Sequence, residues 1–136
     1  MTDKTSVTVL IIEDDPNDVE LMTTILPLRI AELADANFEV VLVRGIVDTE
    51  LINAKIRDLG MRLRLVICDG LGGQIETVIR VIRESLPTLA VIAASSCPSY
   101  LTLGLKAGAS TAIDKADIYT TATAHETIRR LLTKTV

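Results

Sequence analysis

The chain of 136 residues has no tryptophan and only three aromatic side chains, Phe38, Tyr100 and Tyr119. Its core therefore has to be aliphatic, and 49% hydrophobic residues are enough to fill one domain of ordinary size. The two cysteines, Cys68 and Cys97, stand in no pattern that would make a disulfide framework or a zinc site. Both are expected in or beside buried strands as small hydrophobes. Long apolar runs are absent near the polar start MTDKTS, where Val7 to Ile12 is broken by Thr8, too short for a signal or a membrane span. Positive charge is in deficit: 14 Lys and Arg against 18 Asp and Glu give −4, which disfavours nonspecific nucleic-acid binding. Repeats, low-complexity tracts and linkers are missing too. These features describe a single domain over 1–136, expected to be soluble and cytoplasmic, with any output domain on another chain.

Apolar segments that end in polar, chemically capable residues are what the chain does contain. VLIIEDDPND, residues 9 to 18, passes from four aliphatic residues directly to Glu13, Asp14 and Asp15. An unbroken apolar run of this length suits a strand buried on both faces, as in a parallel sheet covered by helices. Asp15 can cap a helix that begins at Pro16, which accounts for one acid and leaves Glu13 and Asp14 unexplained.

The pattern recurs along the chain. Strands are expected at Val7 to Ile12, Phe38 to Val43, Leu63 to Cys68, Leu89 to Ala94 and Ala109 to Ile113. Helices are expected from Asn17 to about Ala34, with Pro27 kinking or dividing it; from the cap Asp48 to the stop Gly60; from Glu76 to about Glu84; from Pro98 to Lys106, closed by Gly108; and from Thr121 to about Leu132. Five β-α repeats predict a three-layer α/β sandwich with a parallel, flavodoxin-like sheet in strand order 2-1-3-4-5. In that order the first and third strands are neighbours, so Glu13 and Asp14 meet Asp69, 55 positions later (69 − 14), at the edge where such sheets bind ligands. Crowded carboxylates call for a cation, and hard oxygen donors suit Mg²⁺. The fourth strand brings Ser95 to the same edge and the fifth brings Lys115. Acids, a metal, a hydroxyl and an ammonium together make a site for a phosphoryl group.

With these residues in place, nearly the whole sequence resembles the receiver domains of two-component response regulators. The acidic pair after the first strand corresponds to Glu13 and Asp14, the phosphoacceptor aspartate to Asp69 in LVICD, the strand-4 hydroxyl to Ser95 in VIAASS, and the lysine to Lys115 in GASTAIDK. The VIAA alignment favours Ser95 over its neighbour Ser96. The resemblance implies a single-domain regulator that accepts a phosphoryl group on Asp69 from a histidine kinase or histidine phosphotransfer protein. Mg²⁺ would be held by Glu13, Asp14, Asp69 and the backbone carbonyl of Leu71, while Lys115 and Ser95 bind phosphoryl oxygens. It implies no enzyme beyond self-phosphorylation and dephosphorylation. It also implies a downstream protein partner, or a homodimer, at the face formed by the fourth helix, fifth strand and last helix, and no membrane or nucleic-acid partner. Departures touch the switch: Gly70-Leu71-Gly72-Gly73 replaces a longer proline-containing loop, Ala112 stands where an aromatic swings on activation, and Ala116 replaces a cis proline. Those departures support a rival reading as a phosphorylation-independent adaptor. A dinucleotide fingerprint around GLGG fails because residue 75 is Ile, and an aspartate-nucleophile hydrolase would need an acid at 71, where Leu stands. His125 is expected on the surface without a role, and Tyr100, Leu101, Leu103 and Leu105 are expected in the core or in a partner patch.

Overall fold

The computed structural model describes residues 7–133. Five parallel strands, β1 (Thr8–Glu13), β2 (Asn37–Leu42), β3 (Leu63–Asp69), β4 (Ala90–Ser95) and β5 (Thr111–Asp114), form one sheet in the order β2-β1-β3-β4-β5. Among the described residues six α-helices surround it: α1 (Pro16–Arg29), α2 (Thr49–Leu59), α3 (Ile75–Ser85), α4 (Pro98–Ala107), α5 (Lys115–Thr120) and α6 (Ala122–Thr133). The expected order and layering are both observed.

Each inner strand divides its side chains between two cores, because successive residues point to opposite faces. Leu10, Ile12, Val66, Cys68, Val91 and Ala93 face α2, α3 and α4, where Ile52, Ile56, Ile75, Val78, Ile79 and Ile82 complete an aliphatic layer. Val9, Ile11, Leu65, Ile67, Ile92 and Ala94 face α1, α5 and α6, against Met22, Leu26, Ile118 and Ile128. Cys68 is fully buried, as expected. Cys97 departs from expectation: it lies beyond β4 as the half-exposed N-cap residue of α4. Its thiol pKa is lowered by the Ser99 hydroxyl, with Sγ and Oγ 3.1 Å apart.

The caps match their sequence signals. The Asp15 carboxylate accepts from Asn17 N at 2.9 Å with Pro16 opening α1, and Asp48 accepts from Leu51 N at 3.1 Å. Gly60, at φ 59°, ends α2. The helix expected to reach Ala34 instead ends at Arg29, and a separate 3₁₀ turn covers Ala31–Leu33. Pro27 has no N–H to give the Thr23 carbonyl, so the last turn of α1 is weakened and the chain leaves it extended at Ile30.

Two features were not foreseen. KADIYT forms α5, a six-residue helix capped by the Asp114 carboxylate, which accepts from Ala116 N at 2.9 Å. His125 does have a structural role: its Nε2 lies 2.7 Å from the Ile118 carbonyl oxygen and ties α6 to α5. Tyr100, Leu101 and Leu103 pack against the α3 side of the core, while Leu105 stays half-exposed. All peptide bonds among the described residues are trans, including that between Lys115 and Ala116.

Candidate functional site

The C-terminal ends of β1, β3, β4 and β5 form one polar edge. Glu13, the last residue of β1, is completely buried. Its Oε2 accepts the backbone N–H groups of Asp14 (3.1 Å) and Asp15 (3.2 Å), and its Oε1 accepts from Lys115 Nζ at 3.0 Å. Asp69 ends β3 and is 9% exposed. Its Oδ1 accepts from Lys115 Nζ at 2.5 Å and its Oδ2 from Leu71 N at 2.8 Å. Lys115 also donates to Asp18 Oδ2 at 3.0 Å, so all three ammonium protons go to carboxylates. Ser95, buried at the end of β4, accepts from Cys97 N at 3.0 Å, whereas Ser96 is exposed.

Glu13, Asp14, Asp69, Ser95 and Lys115 are thus brought together as the strand order requires. The Leu71 carbonyl, expected to reach the metal, accepts from Gln74. The residue sits at φ 53°, and its carbonyl accepts from both Gln74 N (3.2 Å) and Gln74 Nε2 (3.3 Å). Both lone pairs of that oxygen are engaged by Gln74, while the Leu71 N–H donates to Asp69 Oδ2. Gln74 fixes this turn from outside, since its amide also bridges Val47 N (2.8 Å) and Gly45 O (2.9 Å) in the β2–α2 loop. Gly73 and Gly72, at φ 100° and 63°, let the chain turn so tightly. Ala112 is half-buried beside the same core as Tyr100. The Tyr100 ring lies over the acceptor loop: a Cβ added at Gly70 would stand 2.6 Å from Tyr100 Cδ2 and 3.1 Å from Ser95 Oγ.

Burial and the charge of Asp69 push the Glu13 carboxyl up to about 7, against the pull of Lys115. Burial alone would lower the Lys115 ammonium, but its bonds to Asp69, Asp18 and Glu13 outweigh this and raise it. Tyr119, on α5, is pushed up to about 12 by burial and by the nearby Asp18, and its hydroxyl is buried without a partner. Glu13 gives a pH dependence with a definite sign. Folded Glu13 holds its proton to about pH 7, against an ordinary 4.5, so the folded state binds more protons between those values. Stability attributable to Glu13 is then full below about pH 4.5 and is lost as pH rises through 7. Urea midpoints of the metal-free protein, measured from pH 4.5 to 8, should fall relative to those of Glu13→Gln over this window; parallel curves would contradict the raised value.

Carboxylate oxygens of Glu13, Asp14 and Asp69 lie within 4.8 Å of one another, one from each residue. After their hydrogen bonds, Glu13 retains one free lone-pair position on Oε1 and Asp69 retains one on each oxygen, while Asp14 is exposed. This all-oxygen donor set fits a hard divalent cation that keeps several waters, as Mg²⁺ does.

The fold is that of response-regulator receiver domains. Similar solved structures include the receiver domain of a DNA-binding response regulator from Colwellia psychrerythraea, at TM-score 0.70 and 18% identity, covering 95% of this chain and 100% of that one. A CheY-like receiver domain protein from Methanospirillum hungatei matches with the same score and identity over 95% of each chain. A putative pilus assembly-related protein from Burkholderia pseudomallei matches at TM-score 0.69 and 10% identity, over 100% of this chain and 96% of that one. No model of a known protein family matches the sequence, and no curated protein matches it. Among the described residues no helix is long and apolar enough to cross a membrane.

Proposed function

We propose that this chain is a phosphorylatable receiver that takes a phosphoryl group on Asp69 and signals through protein contacts. The observation that carries the reading is the placement of Lys115 Nζ between the buried Glu13 and the edge carboxylate Asp69, with Ser95 on the neighbouring strand. A carboxylate oxygen of Asp69 attacks the phosphorus of a phosphohistidine on a kinase or phosphotransfer protein. The P–O bond forms as the P–N bond breaks, and the imidazole keeps the electron pair. Lys115 and the Ser95 hydroxyl stabilise charge on the phosphoryl oxygens. Glu13, Asp14 and Asp69 would hold Mg²⁺, which when bound supplies charge neutralisation. Hydrolysis returns Asp69 to a carboxylate and releases phosphate.

Intact mass after incubation with acetyl phosphate and Mg²⁺ tests the reading. One added phosphoryl group, absent from Asp69→Asn and from a metal-free sample, is expected; a folded, Mg²⁺-binding wild type that gains nothing would refute it. The second reading is an adaptor that binds partners without phosphorylation. It is favoured by the Leu71 carbonyl, whose lone pairs are taken by Gln74, and by Ala112 in place of an aromatic.

A further inference from the structure

The Lys115 ammonium has three carboxylate partners in three different elements: Glu13 on β1, Asp69 on β3 and Asp18 in the first turn of α1. Two of them belong to the acidic cluster that fits a cation, and Asp18 does not. An acid at this point of a helix is ordinarily explained by the helix N-terminus alone. Here the Asp18 carboxylate accepts from Lys115 across the gap between α1 and α5, while Asp15 provides the cap. The pair is largely shielded, with 13% of the lysine side chain and 23% of the aspartate side chain exposed.

We propose that Asp18 is a positioning residue for Lys115, keeping the ammonium at the site when Glu13 and Asp69 turn to a cation and a phosphoryl group. This rests on the acceptor reading above. Once Asp69 is an acyl phosphate its carboxyl group is neutral and the charge lies on the phosphoryl oxygens, while the charge of Glu13 is shared with the cation. Only Asp18, among the three partners, then keeps an undivided negative charge for the lysine. The proton released from Asp69 is free to turn to a phosphoryl oxygen, while Asp18 prevents the long lysine side chain from swinging into solvent.

The test compares Asp18→Ala and Asp18→Glu with wild type, and repeats Asp18→Ala in a Lys115→Ala background. Calorimetric Mg²⁺ affinity of Asp18→Ala should stay within about threefold of wild type, because Asp18 gives no oxygen to the cluster and its carboxylate is engaged with Lys115. Its rate of phosphoryl uptake from acetyl phosphate should fall roughly tenfold or more, as expected for a misplaced charge. Asp18→Glu should recover most of that rate. The ¹⁵Nζ resonance of Lys115 in the Mg²⁺-loaded protein should be sharp in wild type and lost in Asp18→Ala. In the Lys115→Ala background, Asp18→Ala should change nothing further. Uptake at the wild-type rate by Asp18→Ala, or an equal loss in both backgrounds, overturns the inference while leaving the acceptor reading intact. A wild type that takes up no phosphoryl group overturns both.

Discussion

Replacing Lys115 with alanine should weaken the metal-free protein by roughly 3 kcal/mol at pH 8, the cost of leaving a buried carboxylate without its cation. Glu13 has no access to solvent, and its remaining donors are two backbone N–H groups. Asp69 and Asp18 would stand nearby with their charges no longer offset. The loss should shrink at pH 5, where Glu13, already inclined to keep a proton to about pH 7 with the lysine present, becomes neutral and needs no partner. Mg²⁺ should restore part of the stability at pH 8, since binding to the folded state alone shifts the equilibrium by mass action. Phosphoryl uptake should not recover with it, falling on the order of a hundredfold for want of one preorganised positive charge. Urea unfolding at the two pH values, with and without Mg²⁺, separates these effects. Equal losses at pH 5 and pH 8 would show that Glu13 does not carry the dependence.

The second large effect is expected far from any charge. Gly104 lies on the inner face of α4, where an added Cβ would stand 2.6 Å from Ala93 Cβ on β4 and 3.2 Å from Ile75 Cδ1. Alanine at this position would gain about 1 kcal/mol of helix propensity, yet the contact with β4 is too close for any side chain to fit unless the helix moves. Gly104→Leu should cost roughly 3 kcal/mol by overpacking, lowering the thermal midpoint by on the order of 10 °C. The displacement would also lift Tyr100 from Gly70, because Tyr100 and Gly104 are one turn apart on α4. A Gly104→Leu protein that melts with the wild type would show that α4 is free to shift at no cost.

The sheet, both cores and the meeting of Glu13, Asp14, Asp69, Ser95 and Lys115 were legible in the sequence for a common reason. Aliphatic strands ending in polar residues, alternated with helices, imply a parallel doubly wound sheet, and the flavodoxin-like order expected for five such units puts these ends side by side. What escaped the sequence depends on geometry below that level. The orientation of Leu71 is set by a left-handed backbone state in a non-glycine residue and by the amide of Gln74, and neither leaves a pattern in GLGG. The partnership of Asp18 requires α5, whose six residues are too few to display helical periodicity and whose cap, Asp114, reads equally well as a loop acid. His125 looked idle because its acceptor is a backbone carbonyl on that same unforeseen helix.

Tyr100 and Tyr119 acquire a further use from where they lie. Lack of tryptophan removes the usual fluorescent reporter on metal or phosphate at such a site. Yet one tyrosine ring covers Gly70 and Gly73 on the acceptor loop, and the other lies on the lysine's own helix within reach of the Asp18 and Lys115 charges. The phenol emission of this chain, unmasked by any indole, therefore arises only from two fluorophores packed against opposite cores of the sheet, and Tyr100→Phe and Tyr119→Phe would separate a spectroscopic report on the loop from one on the ammonium.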